Sequence, residues 1–261
     1  MAHLVVDPFV DSDGNPRLLR GIAIQSNAAR VAELAGMLGF ETVWIDVEHG
    51  PTSWTEVEYL CMGAEAGGCV PTVRVPSNQR SHILRSLEAG AHILVVPMID
   101  NAEQAQQIVE YGKFPPLGRR GFNIRSRGLQ YGLTQSGSHL QDANERTQLF
   151  AQIESLEAVK NAQEICQVEG LAGIVIGPGD LSSDMGRPGA FTDPEVIATV
   201  ESVVRIARSL GKHAGVVVSP GPMLDAAIAA GCDLAYCSSD LGCMMSHSKQ
   251  LLEEVPNTPM N

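Results

Sequence analysis

Four places in this chain put chemically competent side chains directly after an apolar run. Asp46, Glu48 and His49 follow Thr42-Val-Trp-Ile45, Arg74 follows Val70-Pro-Thr-Val73, Gln152 and Glu154 close the run that begins at Leu149, and Asp180 follows Ile176 through Gly177-Pro-Gly179. These are the types needed for carbonyl chemistry assisted by a hard cation. Two carboxylates, Glu154 and Asp180, can share one Mg2+ or Mn2+ and leave other positions to water and substrate oxygens, a donor set that suits those ions better than zinc. Arg74 supplies local positive charge in a chain whose formal net charge is -12. His49 is the proton-transfer group, a role worth about 10² to 10⁴ in rate. The turn Gly177-Pro-Gly-Asp180 has backbone amides bare enough to hold an anion such as a substrate carboxylate. Each residue also has an ordinary reading: a structural histidine, a surface salt bridge at Arg74, a helix cap at Glu154, a turn cap at Asp180. Their coincidence at one rim is the stronger observation.

That rim requires elements that carry the residues to it. Apolar runs over residues 19–25, 42–47, 70–75, 92–99, 149–153, 172–176, 213–218 and 233–237 read as strands. Helical spacing follows each, over 28–38, from Ser53, 79–89, 102–111, 156–168, from Asp193, 223–230 and from about 241. Ser53 and Glu56 have the spacing of a capping box, and Asp193-Pro194 starts a helix with proline in its first turn. Short apolar strands alternating with amphipathic helices demand parallel strands and crossover helices, and eight such units close a (β/α)8 barrel in a chain of 261 residues. One domain, residues 1–261, is expected. An open doubly wound sheet would favour a glycine-rich fingerprint after the first strand, and Gln25-Ser-Asn-Ala28 has none.

In a barrel the active site lies at the carboxyl ends of the strands, so His92 and His213, at strand starts, belong to the stability face. A Schiff-base mechanism needs a lysine at a strand end, and Lys113, Lys160, Lys212 and Lys249 are not so placed. Residues 112–140 interrupt the rhythm with Pro115-Pro116 and the arginines 119, 120, 125 and 127, read as a loop anchor or subunit contact. The acidic balance, with a pI near 5.0, argues against nucleic-acid and anionic-membrane partners. No run of 18 apolar residues occurs, and Asp7 comes too early for a signal peptide, so a cytoplasmic protein is expected. The six cysteines form no Cys-x-x-Cys pair and read as reduced thiols.

The stretches Trp44-Ile-Asp-Val-Glu-His49, Val73-Arg-Val75, Val95-Val-Pro-Met98, Pro115-Pro-Leu-Gly-Arg-Arg-Gly121, Gln152-Ile-Glu154 and Ile176-Gly-Pro-Gly-Asp-Leu-Ser182 together resemble the HpcH/HpaI family of class II pyruvate-dependent aldolases. The resemblance implies a (β/α)8 barrel in which Glu154 and Asp180 bind a divalent metal, Mg2+ or Mn2+ with Co2+ as a further choice, which pyruvate chelates through its carboxylate and keto oxygens. It implies that Arg74 stabilises the enolate oxygen and that His49, oriented by Asp46 or Glu88, moves the proton. Gln152, Pro178 and Gly179 would contact substrate. It further implies cleavage of a 4-hydroxy-2-oxo acid to pyruvate and an aldehyde, with the 112–140 loop bordering the aldehyde side. The assembly would be a homo-oligomer, a hexamer whose last helix, about 241–254, is exchanged between subunits. The alternatives are a CoA-thioester lyase of the citrate-lyase-β type and a non-catalytic barrel.

Overall fold

Every apolar run expected as a strand forms one. In a computed structural model that describes residues 7–133 and 138–255, the strands are β1 (Leu19–Ala23), β2 (Thr42–Asp46), β3 (Val70–Arg74), β4 (Ile93–Val96), β5 (Gln148–Ile153), β6 (Gly173–Ile176), β7 (His213–Val217) and β8 (Leu234–Ser239). Each pairs in parallel with its neighbours, and β8 returns to β1 to close the barrel. Because successive side chains of a strand point to opposite faces, each strand feeds two cores. Trp44, Val70, Val95, Phe150, Val175, Leu234 and Tyr236 fill the barrel. Val43, Ile45, Val73, Leu94 and Ile174 face outward against the helices.

The helices are α1 (Ala29–Met37), α2 (Trp54–Ala66), α3 (Arg80–Ala89), α4 (Ala102–Gly112), α5 (His139–Arg146), α6 (Leu156–Lys160), α7 (Ala162–Cys166), α8 (Pro178–Asp184), α9 (Pro194–Ser209), α10 (Pro222–Ala229) and α11 (Asp240–Glu254). The capping box forms: the Ser53 hydroxyl accepts from the Glu56 amide at 3.4 Å, and the Ser53 amide donates to the Glu56 carboxylate at 2.7 Å. Asp193 caps α9 as its spacing predicts. Helices α5 and α8 form where none was expected, and two expected elements are shortened or broken. The helix expected over 156–168 breaks at Asn161, whose side-chain amide turns away to donate to the Asp100 carbonyl at 2.7 Å. The strand expected over 92–99 ends at Val96, because Pro97 has no amide to give the ladder and Met98 takes a left-handed φ of 56°.

The amino-terminal face of the barrel is closed by aromatic and charged side chains. Phe9 stacks on His213 with ring centroids 3.7 Å apart, and His213 Nδ1 lies 2.7 Å from Asp233. His92 lies 3.5 Å from Glu65. The described residues of the 112–140 segment, 112–133 and 138–140, lie between α4 and β5 at this same face and hold a short 3-10 turn at Arg127–Gly132. Its arginines anchor it: Arg127 pairs with Glu65 at the end of α2, Arg119 pairs with Glu110, and Arg120 lies buried over the Phe114 ring at 4.7 Å. Within this chain the described residues of the loop therefore lie away from the barrel mouth, contrary to the expectation for the aldehyde side. Lys113 is locked there too, donating to the carbonyls of Asn144 and Thr147, and burial lowers its ammonium to about 8. A lysine of depressed basicity exists, but at the end of the barrel opposite the rim.

α1 and α2 cross with their backbones in contact at Gly36, Gly63 and Gly67. A Cβ at Gly63 would overlap the Ala29 carbonyl oxygen, where no flexible side chain can yield. Gly63→Ala should cost about 1–3 kcal/mol by overpacking, measured as a lower urea midpoint at unchanged slope.

Candidate active site

The register of two strands builds half of the site. β2 and β3 pair with Asp46 opposite Arg74, which places a carboxylate beside a guanidinium at the rim. Arg74 Nε and Nη2 donate to the two oxygens of Asp46 at 3.1 and 2.5 Å, a planar fork on a planar acceptor. Its Nη1 lies 2.9 Å from Glu48 Oε2, and the guanidinium carbon sits 5.3 Å from the centre of the Trp44 ring. Arg74 is only 8% exposed. It is a held group, not a surface ion pair. Beneath it Trp44 meets Tyr236 edge-on at 4.7 Å, and the Tyr236 hydroxyl donates to Thr72 at 2.6 Å.

Asp46 also accepts from the amides of Glu48 and His49, at 3.0 and 3.2 Å. Burial by itself would raise the Asp46 carboxyl; the hydrogen bonds and charge of Arg74, with the two amides, hold it below its ordinary value instead. Glu48 shifts the other way, pushed up by burial and by the charges of Asp46 and Asp180 against the pull of Arg74 and His49. The His49 ring is open to solvent, 64% exposed, with Nε2 4.0 Å from Glu48 Oε2. The carboxylate nearest that ring nitrogen is thus Glu48, while Asp46 is spent on Arg74 and the backbone. Glu88 is not brought to His49 within this chain. It lies in the last turn of α3, toward the amino-terminal face, and its charge acts on Arg120.

β5 and β6 build the other half. Glu154, 4% exposed, sits one residue past β5. Its Oε1 accepts the Met98 amide at 2.7 Å and its Oε2 accepts from the side-chain amide of Gln152. The left-handed turn at Met98 aims that amide. Glu154 does not cap the following helix; Ser155 does, accepting from the Ala158 amide at 3.0 Å. Burial pushes the Glu154 carboxyl up, its two hydrogen bonds pull it down, and the charges of Glu48 and Asp180 push it further up. Gly177 is required by this packing, since a Cβ there would lie 2.9 Å from Glu154 Oε2 and 3.0 Å from Gln152 Nε2. Asp180 stands exposed in the first turn of α8, beside exposed Gly179. Pro178 is buried and has no amide hydrogen, so it shapes the turn and donates nothing.

The residues present fit a hard divalent cation. A buried carboxylate destabilised by two like-charged neighbours, an oxygen cradle that exists because Gly177 lacks a Cβ, and the buried, unpartnered Oε1 of Gln152 all favour positive charge there. Among the described residues no three His, Cys, Asp or Glu side chains converge as an ion site.

Reasoning from sequence undervalued three residues. Asp46 and Glu48 are two apart, the period that puts both on one side of an extended chain, so Glu48 was findable as a second partner for Arg74. Trp44 was findable in the same way, two residues before Asp46. Nothing in the sequence signals a left-handed methionine at 98.

Because the folded Asp46 carboxyl is held below its unfolded value of about 3.9, the Asp46–Arg74 pair contributes its full stability above that pH and loses it as pH falls through the lower folded value. Asp46→Asn should cost on the order of 3 kcal/mol at pH 7 and leave a shallower loss of stability in acid, read from urea unfolding at pH 7 and pH 3.

A model of the family described as HpcH/HpaI aldolase/citrate lyase matches residues 21–246. The 2-dehydro-3,6-dideoxy-6-sulfogluconate aldolase of Pseudomonas putida is 33% identical over 232 residues, 89% of this chain and 90% of that protein. The 2-keto-3-deoxy-L-rhamnonate aldolase of Salmonella gallinarum is 31% identical over 243 residues, 92% of this chain and 90% of that one. Among solved structures, an HpcH/HpaI aldolase from Desulfitobacterium hafniense DCB-2 aligns with a TM-score of 0.86 at 25% identity, covering 93% and 94% of the two chains. With the closed barrel and the family match spanning both halves of the rim, the chain belongs to the HpcH/HpaI aldolase/citrate lyase family.

Proposed function

We propose that the chain is a divalent-metal-dependent aldolase that cleaves a 4-hydroxy-2-oxo acid of the 2-keto-3-deoxy sugar-acid type to pyruvate and an aldehyde, and catalyses the reverse addition. The observation that carries this reading is the Glu154 carboxyl, raised by burial and further by its acidic neighbours, on the same rim as a guanidinium fixed by Asp46. The relatives named above are aldolases of deoxy sugar acids, which supports that substrate type.

A cation such as Mg2+, Mn2+ or Co2+ held by Glu154 and Asp180 supplies Lewis-acid polarisation of the substrate's carboxylate and 2-oxo oxygens. In cleavage the bond between C3 and C4 breaks, and its electron pair passes to C3 and on to the 2-oxo oxygen. Arg74 meets that developing charge; its fork and the Trp44 face fix the guanidinium beforehand, so no reorganisation is needed during the reaction. The C4 hydroxyl proton goes to His49, whose exposed ring reaches the open mouth, and Glu48 offsets the imidazolium charge. Transfer of that proton from the His49 imidazolium to C3 then gives pyruvate and leaves the imidazole neutral again. In the addition direction His49 returns its proton to the new hydroxyl.

A CoA-thioester lyase would need a basic groove beside the mouth. The arginine run from 119 to 127 packs at the other face, with Arg119 and Arg127 paired to carboxylates and Arg120 buried. Association with further copies of the chain is supported by α11, which has no buried residue and exposes Leu241, Met244, Met245, Leu251 and Leu252. We propose exchange of this helix within a homo-oligomer, a hexamer.

Retro-aldol turnover of 2-keto-3-deoxy-L-rhamnonate, followed by coupling pyruvate to lactate dehydrogenase, should be abolished by EDTA and restored by Mn2+. Glu154→Ala and Asp180→Ala should each lose about 10²-fold or more; full activity in either variant, or after EDTA, would overturn the metal assignment. Arg74→Lys should lose about 10² to 10³ in kcat, because a point charge does not replace the planar fork.

A further inference from the structure

The charged groups of the mouth are distributed unevenly around it. β2, β3, β5 and β6 carry Asp46, Glu48, His49, Arg74, Glu154 and Asp180. The remaining arc, from β7 through β8 to β1, is small and nearly neutral. Its described residues are 217–222, 237–242 and 23–28, and they contain no Lys, Arg or His. The arc is continuous: Ala23 of β1 pairs with Trp44 on one side and Ser239 of β8 on the other, and Val217 of β7 pairs with Tyr236. Arg30, the first basic residue beyond it in β1's direction, lies on α1 in the outer ring.

Its single charge is negative and already engaged. Asp240 accepts from the amides of Gln25 and Ser26, at 2.8 and 3.1 Å, and from the Ser26 hydroxyl at 2.5 Å. An anionic group entering this arc would leave water, find no cation, and approach that carboxylate. Neutral hydrogen-bonding groups are present instead: the side chains of Gln25 and Ser219 stand exposed there, beside the apolar surface of Ala23 and Val217.

We propose that this arc receives the aldehyde half of the substrate and selects a short, uncharged hydroxyaldehyde over one bearing a carboxylate, phosphate or sulfonate. The charged arc takes the pyruvate half, and the neutral arc, by lacking a cation, discriminates against anionic acceptors. This inference rests on the aldolase reading above, and its test separates the two.

The Mn2+-loaded protein would be given pyruvate in D2O, and exchange of the methyl protons followed by NMR, which reports enolisation with no acceptor present. Addition of pyruvate to glycolaldehyde and lactaldehyde would then be compared with addition to succinate semialdehyde and glyceraldehyde 3-phosphate. Exchange should occur, and kcat/KM should favour the uncharged acceptors by about tenfold or more. Ser219→Lys should narrow that preference by lowering KM for the anionic acceptors. Exchange together with an equal or greater kcat/KM for the anionic acceptors, or a Ser219→Lys variant whose KM for them does not change, would overturn the assignment of the arc. Absence of exchange would overturn the aldolase reading and this inference with it.

Discussion

The fixed orientation of Arg74 is the constraint on which the rest of the rim depends. A guanidinium cannot be neutralised, so burying one requires that its donors be met in place. Here the parallel register of β2 and β3 meets them, setting Asp46 opposite Arg74, while Trp44 offers a ring face and Glu48 the remaining carboxylate. Trp44 in turn is held by Tyr236, whose hydroxyl is satisfied in the barrel by Thr72 and Thr42. A chain of contacts through the barrel interior thus ends in one positive charge of defined direction. No loop has to close to produce it.

The opposite half of the rim is built on the reverse principle. Glu154 is buried with acidic neighbours and with hydrogen bonds that only partly offset their cost. Its geometry nevertheless is tightly specified, by a left-handed Met98, by Gln152 and by the missing Cβ of Gly177. Strain and like-charge crowding of this kind are retained where a ligand relieves them. The site combines a satisfied cation, Arg74, with a carboxylate, Glu154, whose charge is not offset. Away from the rim, the amino-terminal face is closed by the stacked Phe9 and His213 and by the Arg127–Glu65 pair.

Much of this was legible in the sequence, because barrel strands are local. The eight apolar runs, the Ser53 box and the Asp193-Pro194 start each depend on a few adjacent residues, and each appears where the pattern puts it. The strand-end rule likewise located Asp46, His49, Arg74, Gln152, Glu154 and Asp180 without any contact information. What was hidden depends on distant groups. Asn161 breaks a helix for the sake of a carbonyl at Asp100, Met98 adopts its backbone for the sake of Glu154, and Glu88 lies at the far end of α3 although it is close to Arg74 in sequence. The family resemblance puts the 112–140 segment on the aldehyde side of the mouth. Its position follows from topology instead: a connection from a helix to the next strand lies at the amino-terminal face.

The central claim is that Glu154 and Asp180 together hold one divalent cation that orients the 2-oxo acid toward Arg74. Crystals soaked with Mn2+ and pyruvate, with data collected for the anomalous signal of manganese, test it most directly. The account predicts an anomalous peak bridging the two carboxylates, with the 2-oxo oxygen of pyruvate directed at the Arg74 guanidinium. A peak bound by other residues, or pyruvate seated away from Glu154, Asp180 and Arg74, would contradict it.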